Sequence, residues 1–405
     1  MSVHQAPDLS QDELHLGAAG VSWFRGLLAT GVAGFASALI LASQTKDGWA
    51  RFYPSYLVSF IFFLSLALGA LFFVLVQHAT RAGWSVAVRR LAEGVAPNLF
   101  MPMAFLVLPI LFGLRFLYPW TDAAAVASDH LLHAKAPWLN VPFFVSRAAV
   151  YFAVWSVFSI WFHRTSTSQD ATGDPRLTTR METTSTVALI LFAFTVTFFA
   201  FDFLMSLTPH WYSTIFGVYF FAGCVLGYFA LMVVLANLVQ RAGRLRHAIT
   251  TEHFHDMGKL VFAFTVFWAY IAFSQYMLMW YANLPEETFW YAARQAGSWS
   301  WWSLVLLFGH FVVPFLALLS RHAKRRRRLL LTGAVWMLAM QWADIYWLVM
   351  PNRSPGVIPF SSMDVALFLG VGGLFFAAVT RRLGAHALIA LKDPRLTESL
   401  GLENF

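Results

Sequence analysis

Along the chain, apolar residues gather into ten unbroken runs, at roughly 22–43, 54–79, 99–118, 141–163, 184–207, 213–239, 257–281, 299–320, 329–350 and 361–380. A hydrocarbon core of ~30 Å needs about 20 helical residues to cross it, so each run is long enough to span a bilayer. The breaks between them carry charge or turn signals: Lys46-Asp47-Gly48, the Arg164 to Arg180 stretch with Gly173 and Pro175, the Arg321 to Arg328 run, and Pro351-Asn352-Arg353. Outer-membrane barrels instead show short segments of alternating polarity. The pattern therefore predicts an all-α integral membrane protein with ten transmembrane helices. Its expected organisation is a cytoplasmic N-terminal segment (1–21), a ten-helix domain (22–380) and a cytoplasmic tail (381–405), with no stretch left for a second, soluble domain.

Composition agrees with this pattern. Of 405 residues 59% are hydrophobic and 12% charged, mean hydropathy is +0.62, and there are 41 Phe and 17 Trp. A soluble domain carries about 25% charged residues. The formal charge of +8 raises the question of nucleic acid, but the basic residues sit mostly in short loops, where the positive-inside rule accounts for them. Loops after the even-numbered runs, with the tail, hold 19 Lys and Arg against 5 in the loops after odd-numbered runs. This predicts cytoplasmic termini in a bacterial inner membrane, with Lys324-Arg325-Arg326-Arg327-Arg328 read as a topology signal rather than a lipid-headgroup patch. Residues 1–22 include Asp8, Asp12 and Glu13 but no Lys or Arg, unlike a signal peptide with its basic n-region. The first span is expected to be retained.

An ionisable residue inside a span costs about 2.5–3.5 kcal/mol on insertion scales, so each needs a partner or a purpose. Five lie away from the ends of the runs: Arg115, Arg147, Asp202, His310 and Asp344. With termini inside, four fall in the periplasmic third and His310 near the midplane. Gln341 lies three residues before Asp344 on one helix face, Ser274 and Gln275 reach the same depth, and Ser206 is one turn from Asp202. Pro314 follows His310 by four residues, which deprives a carbonyl of its helical N–H. Lys259 and Arg25, nearer the ends, read as snorkelling anchors. Two readings stand. Either Asp202, His310 and Asp344 are protonatable stations, with Arg147 holding one carboxylate ionised, or the charges are interhelical pairs that only fix packing.

Cys224 is the one cysteine, which excludes an iron–sulfur cluster, a Cys-x-x-Cys-His haem attachment and an internal disulfide. A b-type haem needs two deep histidines facing each other, and only His310 lies at depth. His78 and His163 sit at span ends, and His130, His133 and His210 in loops. A metal site lacks clustered ligands for the same reason.

Two long stretches carry a family resemblance. They are Phe201-Asp202-Phe203-Leu204-Met205-Ser206-Leu207-Thr208-Pro209-His210-Trp211-Tyr212-Ser213-Thr214-Ile215-Phe216-Gly217-Val218-Tyr219 and Phe273-Ser274-Gln275-Tyr276-Met277-Leu278-Met279-Trp280-Tyr281-Ala282-Asn283-Leu284-Pro285-Glu286-Glu287, followed by Gly309-His310-Phe311 and Asp344-Ile345-Tyr346-Trp347. Together these resemble the shorter of the two polysulfide-reductase-like (NrfD-like) membrane subunits of alternative complex III, over runs four to nine. The resemblance implies two four-helix bundles plus two peripheral helices. It implies membership of a complex that oxidises menaquinol or ubiquinol and passes electrons through an iron–sulfur subunit to c-type cytochrome subunits, and thence to cytochrome c or a terminal oxidase. The longer homologous membrane subunit is the quinol-binding one. The shorter is expected to supply a proton path, a second quinone-like cavity or a scaffold, with haem and iron–sulfur clusters on its partners and no cofactor bound covalently. Here the third run offers Arg115 but no mid-membrane His, so the longer relative's pocket is not reproduced at matching depth. Asp202, His310, Asp344, Arg147, Arg115, Gln275, Gln341 and Ser206 are the candidate residues for the path or cavity.

Overall fold

The computed structural model describes residues 9–44 and 46–404. The first eight residues of the expected N-terminal segment, Asp8 among them, and Phe405 lie outside the described residues. Ten helices are long and apolar enough to cross a membrane: α1 Gly17–Gln44, α2 Gly48–Ala79, α3 Val86–Phe112, α4 Val141–Thr172, α5 Pro175–Leu207, α6 Phe216–Arg241, α7 Thr251–Ala282, α8 Trp299–Leu318, α9 Arg327–Asn352 and α10 Ser362–Ala385. No β-strand occurs among the described residues, so the expected all-α class is met.

Helices α2, α3, α4 and α5 pack as one bundle and α6, α7, α8 and α9 as a second, while α1 lies along α10 on the outside. The α2–α6 contact joins the bundles, and these two helices are the most buried of the ten. Lipid is as apolar as the helices, so close backbone approach, not apolar burial, holds such a seam. A Cβ at Gly69 of α2 would lie 2.2 Å from the Cys224 carbonyl oxygen of α6. On the outside, a Cβ at Gly34 of α1 would lie 2.4 Å from the Gly370 amide of α10.

Both termini meet at one end of the molecule. The Leu388 amide bonds the Leu14 carbonyl at 2.8 Å, and Leu245, just past α6, bonds Glu13 at 3.4 Å. At that end the helices outrun the apolar runs. The chain between runs four and five, expected as a connecting stretch, is helical except at Gly173 and Asp174: Gly173 caps α4 at φ 69°, and Asp174 caps α5 with Pro175 following.

The third span differs most from expectation. It starts at Val86, thirteen residues before the expected 99, and breaks into short pieces after Val95, where Pro97, Pro102 and Pro109 each withhold an N–H. Arg89 and Arg90, expected as loop charges, are consequently buried in helix with Glu93. Arg89 pairs with Glu93 and with Asp393 of the tail, and Arg90 pairs with Glu93 at 3.2 Å and with Asp170 at 2.7 Å. The tail is docked here: Ser399 Oγ donates to Trp84 O and accepts from the Ala87 amide.

Candidate functional site

The candidate residues fall into two separate groups, one per bundle. In the first, Asp202 near the end of α5 is 1% exposed and faces Arg147 of α4. Arg147 Nε donates to Oδ2 and Nη2 to Oδ1, both at 2.8 Å, a two-point geometry that fixes the guanidinium plane. Tyr151 OH donates to Oδ2 at 2.7 Å and Trp138 Nε1 to Oδ1 at 3.1 Å. Arg147 Nη1 donates to Trp138 O at 2.9 Å, and the guanidinium lies 4.2 Å from the Trp138 ring and 4.3 Å from that of Phe143. Each Asp202 oxygen thus already accepts two hydrogen bonds. Ser206 donates to the Asp202 carbonyl, not to the carboxylate, and accepts from Trp120 Nε1.

The second group lies among α6–α9. Asp344 of α9 accepts from Tyr219 OH of α6. The Tyr219 ring contacts Trp268 of α7 at 5.8 Å, and Trp268 in turn contacts His310 of α8, centroids 3.9 Å apart. His310 is fully buried, and neither of its ring nitrogens has a hydrogen-bond partner among the described residues. Gln341, one turn before Asp344, is buried, its carbonyl oxygen without a partner among the described residues and its amide packed on Gly223, where any Cβ would come within 2.8 Å.

The local fold around His310 is irregular. Residues Leu306–Val312 form a π-turn in which the Val313 N–H reaches Phe308 O, five residues back. The next bond in that register would need an N–H from Pro314, which has none. The orphaned acceptor is therefore Gly309, rather than the His310 carbonyl expected from an α-helical register, and the Trp336 indole of α9 donates to it at 2.7 Å. Such single-turn bulges recur at functional sites.

Toward the end opposite the termini, Gln275 accepts from Ser213 Oγ at 3.0 Å and donates to Tyr291 OH at 2.9 Å. Tyr291 belongs to a helix, Pro285–Gln295, which is too short and too mixed in polarity to stand out in the apolar pattern. This helix carries Arg294, which is fully buried and donates to Trp290 O at 3.1 Å and Leu348 O at 2.8 Å, its guanidinium 3.4 Å from the Trp290 ring centre. It has no carboxylate partner among the described residues, and burial pushes its pKa down to about 9.

Arg115 belongs to neither group. It lies beyond the span, is exposed, and stacks on its neighbour Phe116 at 4.8 Å; the expected intramembrane charge is an interfacial one, because the span ends at Phe112. No hydrogen bond or ion pair among the described residues joins Asp202 to Asp344 or His310. Of the candidate residues, Ser206 lines a cavity of about 420 Å³ beside Trp138 and Met205, and Arg115 one of about 220 Å³; neither Asp202, His310 nor Asp344 lines either of these. Tyr219, Trp268, Tyr291, Arg294, Tyr151 and Trp138 were outside the sequence-derived set. The signal for Arg294 was its spacing of four from Trp290 behind the helix-start Pro285-Glu286-Glu287. Comparison with protein-family models and with curated proteins finds no match to this chain.

Proposed function

We propose that the chain is a membrane subunit of a bacterial respiratory quinol-oxidising complex of the alternative complex III type, contributing a proton path and no redox centre of its own. Its loop charges favour cytoplasmic termini, which puts Ser213, Tyr291 and Arg294 on the periplasmic side. The observation that carries the reading is His310: a buried imidazole with two unpartnered nitrogens in a π-turn, one aromatic ring away from the Tyr219–Asp344 pair. In this reading Asp344 takes and releases the proton, Tyr219 orients the carboxyl by donating to Oδ1, and His310 is the inner station. Ser213, Gln275 and Tyr291 form the polar approach from the periplasmic face.

A quinone headgroup fits this group poorly. Its residues are packed against each other through the Tyr219, Trp268 and His310 rings, so no step is assigned to a quinone here. Menaquinol or ubiquinol oxidation is assigned to the larger homologous membrane subunit, with an iron–sulfur subunit and c-type cytochromes carrying electrons onward, to cytochrome c or a terminal oxidase. The first bundle supports the structural alternative for its own residues: Asp202 is saturated by Arg147, Tyr151 and Trp138 and has no lone pair to offer a relay.

The test is Asp344→Asn and His310→Ala in the purified native assembly. A proton path predicts normal assembly with reduced quinol-linked turnover or fewer protons released per quinol. A scaffold predicts lower assembly yield with unchanged turnover per assembled complex, and that result removes the proposal.

A further inference from the structure

Most of the basic run between α8 and α9 is engaged with protein. Lys324 donates to the Leu318 and Leu319 carbonyls at 2.8 and 3.0 Å, Arg325 pairs with Glu252, and Arg321 donates to Asn404 O at 2.8 Å. Two arginines of that stretch, expected to be part of a topology signal and not of a headgroup patch, behave differently. Arg327 and Arg328 join Arg241, the last residue of α6, around a cavity of about 270 Å³ completed by Asn237, Gln240 and Leu331. Among the described residues none of the three guanidiniums has a carboxylate partner. Buried Asn237 accepts from Arg327 Nε at 2.9 Å, which aims that side chain into the cavity rim. Like charges held together without an acid between them repel, so the arrangement is complementary to an anion, and guanidiniums match phosphate by paired N–H bonds.

A second observation lies on the same helix face. Arg328 and Leu331 of the basic cavity are followed at helical spacing by Val335, Leu338, Ala339 and Trp342 of α9, which form one wall of an apolar groove of about 540 Å³. Its other wall is Phe62 and Phe63 of α2 with Phe368 of α10. From Leu331 to Trp342 the α9 axis rises about 16 Å, close to half of a ~30 Å hydrocarbon core. A soluble anion has no use for such a groove, and a neutral lipid has none for three unpaired cations.

We infer that this face is a binding site for one anionic glycerophospholipid, with its phosphate at Arg241, Arg327 and Arg328 and an acyl chain laid along α9 in the groove. The inference does not depend on the proposed respiratory role. The test uses the full chain, delipidated in detergent and then exchanged into nanodiscs of equal parts phosphatidylglycerol and phosphatidylcholine, with retained lipid counted by native mass spectrometry. Wild type retains phosphatidylglycerol preferentially. The Arg241→Gln/Arg328→Gln variant, which removes no protein hydrogen bond of either side chain, loses that preference by roughly 30-fold, about fivefold for each basic residue at a membrane surface. Ala339→Trp fills the groove and lowers retention while the three arginines remain. Equal retention of the two lipids by wild type overturns the inference, as does unchanged retention in both variants. Displacement of phosphatidylglycerol by millimolar inorganic phosphate, with no effect of Ala339→Trp, marks a site for free anions and also overturns it.

Discussion

Replacing Arg147 with Met leaves the Asp202 carboxylate 1% exposed in the first bundle with only Tyr151 and Trp138 as donors. The native pair has two 2.8 Å charge-assisted bonds. Breaking one side of a buried ion pair costs about 3–5 kcal/mol, chiefly because the surviving charge stays desolvated. Neutral interhelical hydrogen bonds in membranes average only about 0.6 kcal/mol. The charge therefore dominates the expected loss. Asp202→Asn should be destabilising for the mirror reason, leaving Arg147 unneutralised beside Trp138 and Phe143. The double variant has no stranded charge and should recover about 2–3 kcal/mol relative to the sum of the singles, a coupling of the size expected for contacting charged groups. Reversible unfolding in mixed micelles, read by tryptophan fluorescence, gives the cycle. A coupling below about 0.5 kcal/mol would refute the clamp assigned to this pair.

Three further outcomes follow from other parts of the structure. Gly69→Ala pushes a Cβ to within 2.2 Å of the Cys224 carbonyl at the inter-bundle seam and should cost at least 1–3 kcal/mol by thermal melting, whereas Gly384→Ala, which meets nothing within 4 Å, should be silent; equal melting of the two contradicts the seam. The His210 ring beside Asp129 holds that carboxyl below its usual range, helped by the Leu132 and Leu131 amides, so its contribution is complete above the unfolded value of about 3.9 and is lost as pH falls through the lower folded value. Hydrogen exchange of residues 130–135 should stay protected down to about pH 4, His210→Ala should move the loss of protection upward, and an unmoved midpoint contradicts the contact. A cysteine replacing exposed Glu286, with Cys224 buried and silent, should react with an impermeant maleimide from outside intact cells; reaction only after lysis reverses the proposed orientation.

How far the sequence could be read depended on the kind of contact. Ten spans follow from run length alone, since a bilayer imposes one length scale on every helix. The Arg147–Asp202 pair was reachable as one of the expected interhelical ion pairs, because topology put both residues in the same third of the membrane. The partner of Asp344 was not, since no periodicity links residues 219 and 344 on different helices. Arg89, Arg90 and Glu93 were misread for a different reason. A count of basic residues between apolar runs treats them all as solvated, yet here a polar stretch is helical because Asp170 and Asp393 arrive to neutralise it. The helix bearing Arg294 is too short to register on a 20-residue ruler.

The docking of the tail onto α3 bears on the order in which the protein can be made. Arg89, Arg90 and Glu93 enter the bilayer interface early, when fewer than a quarter of the 405 residues have been translated. Asp170 comes next, and Asp393 only when nearly the whole chain has left the ribosome. Until then Arg89 has Glu93 but lacks its second carboxylate partner, at a position that is finally shut off from water. A chain stopped just after its tenth apolar run would retain every span yet leave Arg89 short of a partner and the Trp84 carbonyl and Ala87 amide uncovered, a mark by which cellular quality control could distinguish it from the finished protein.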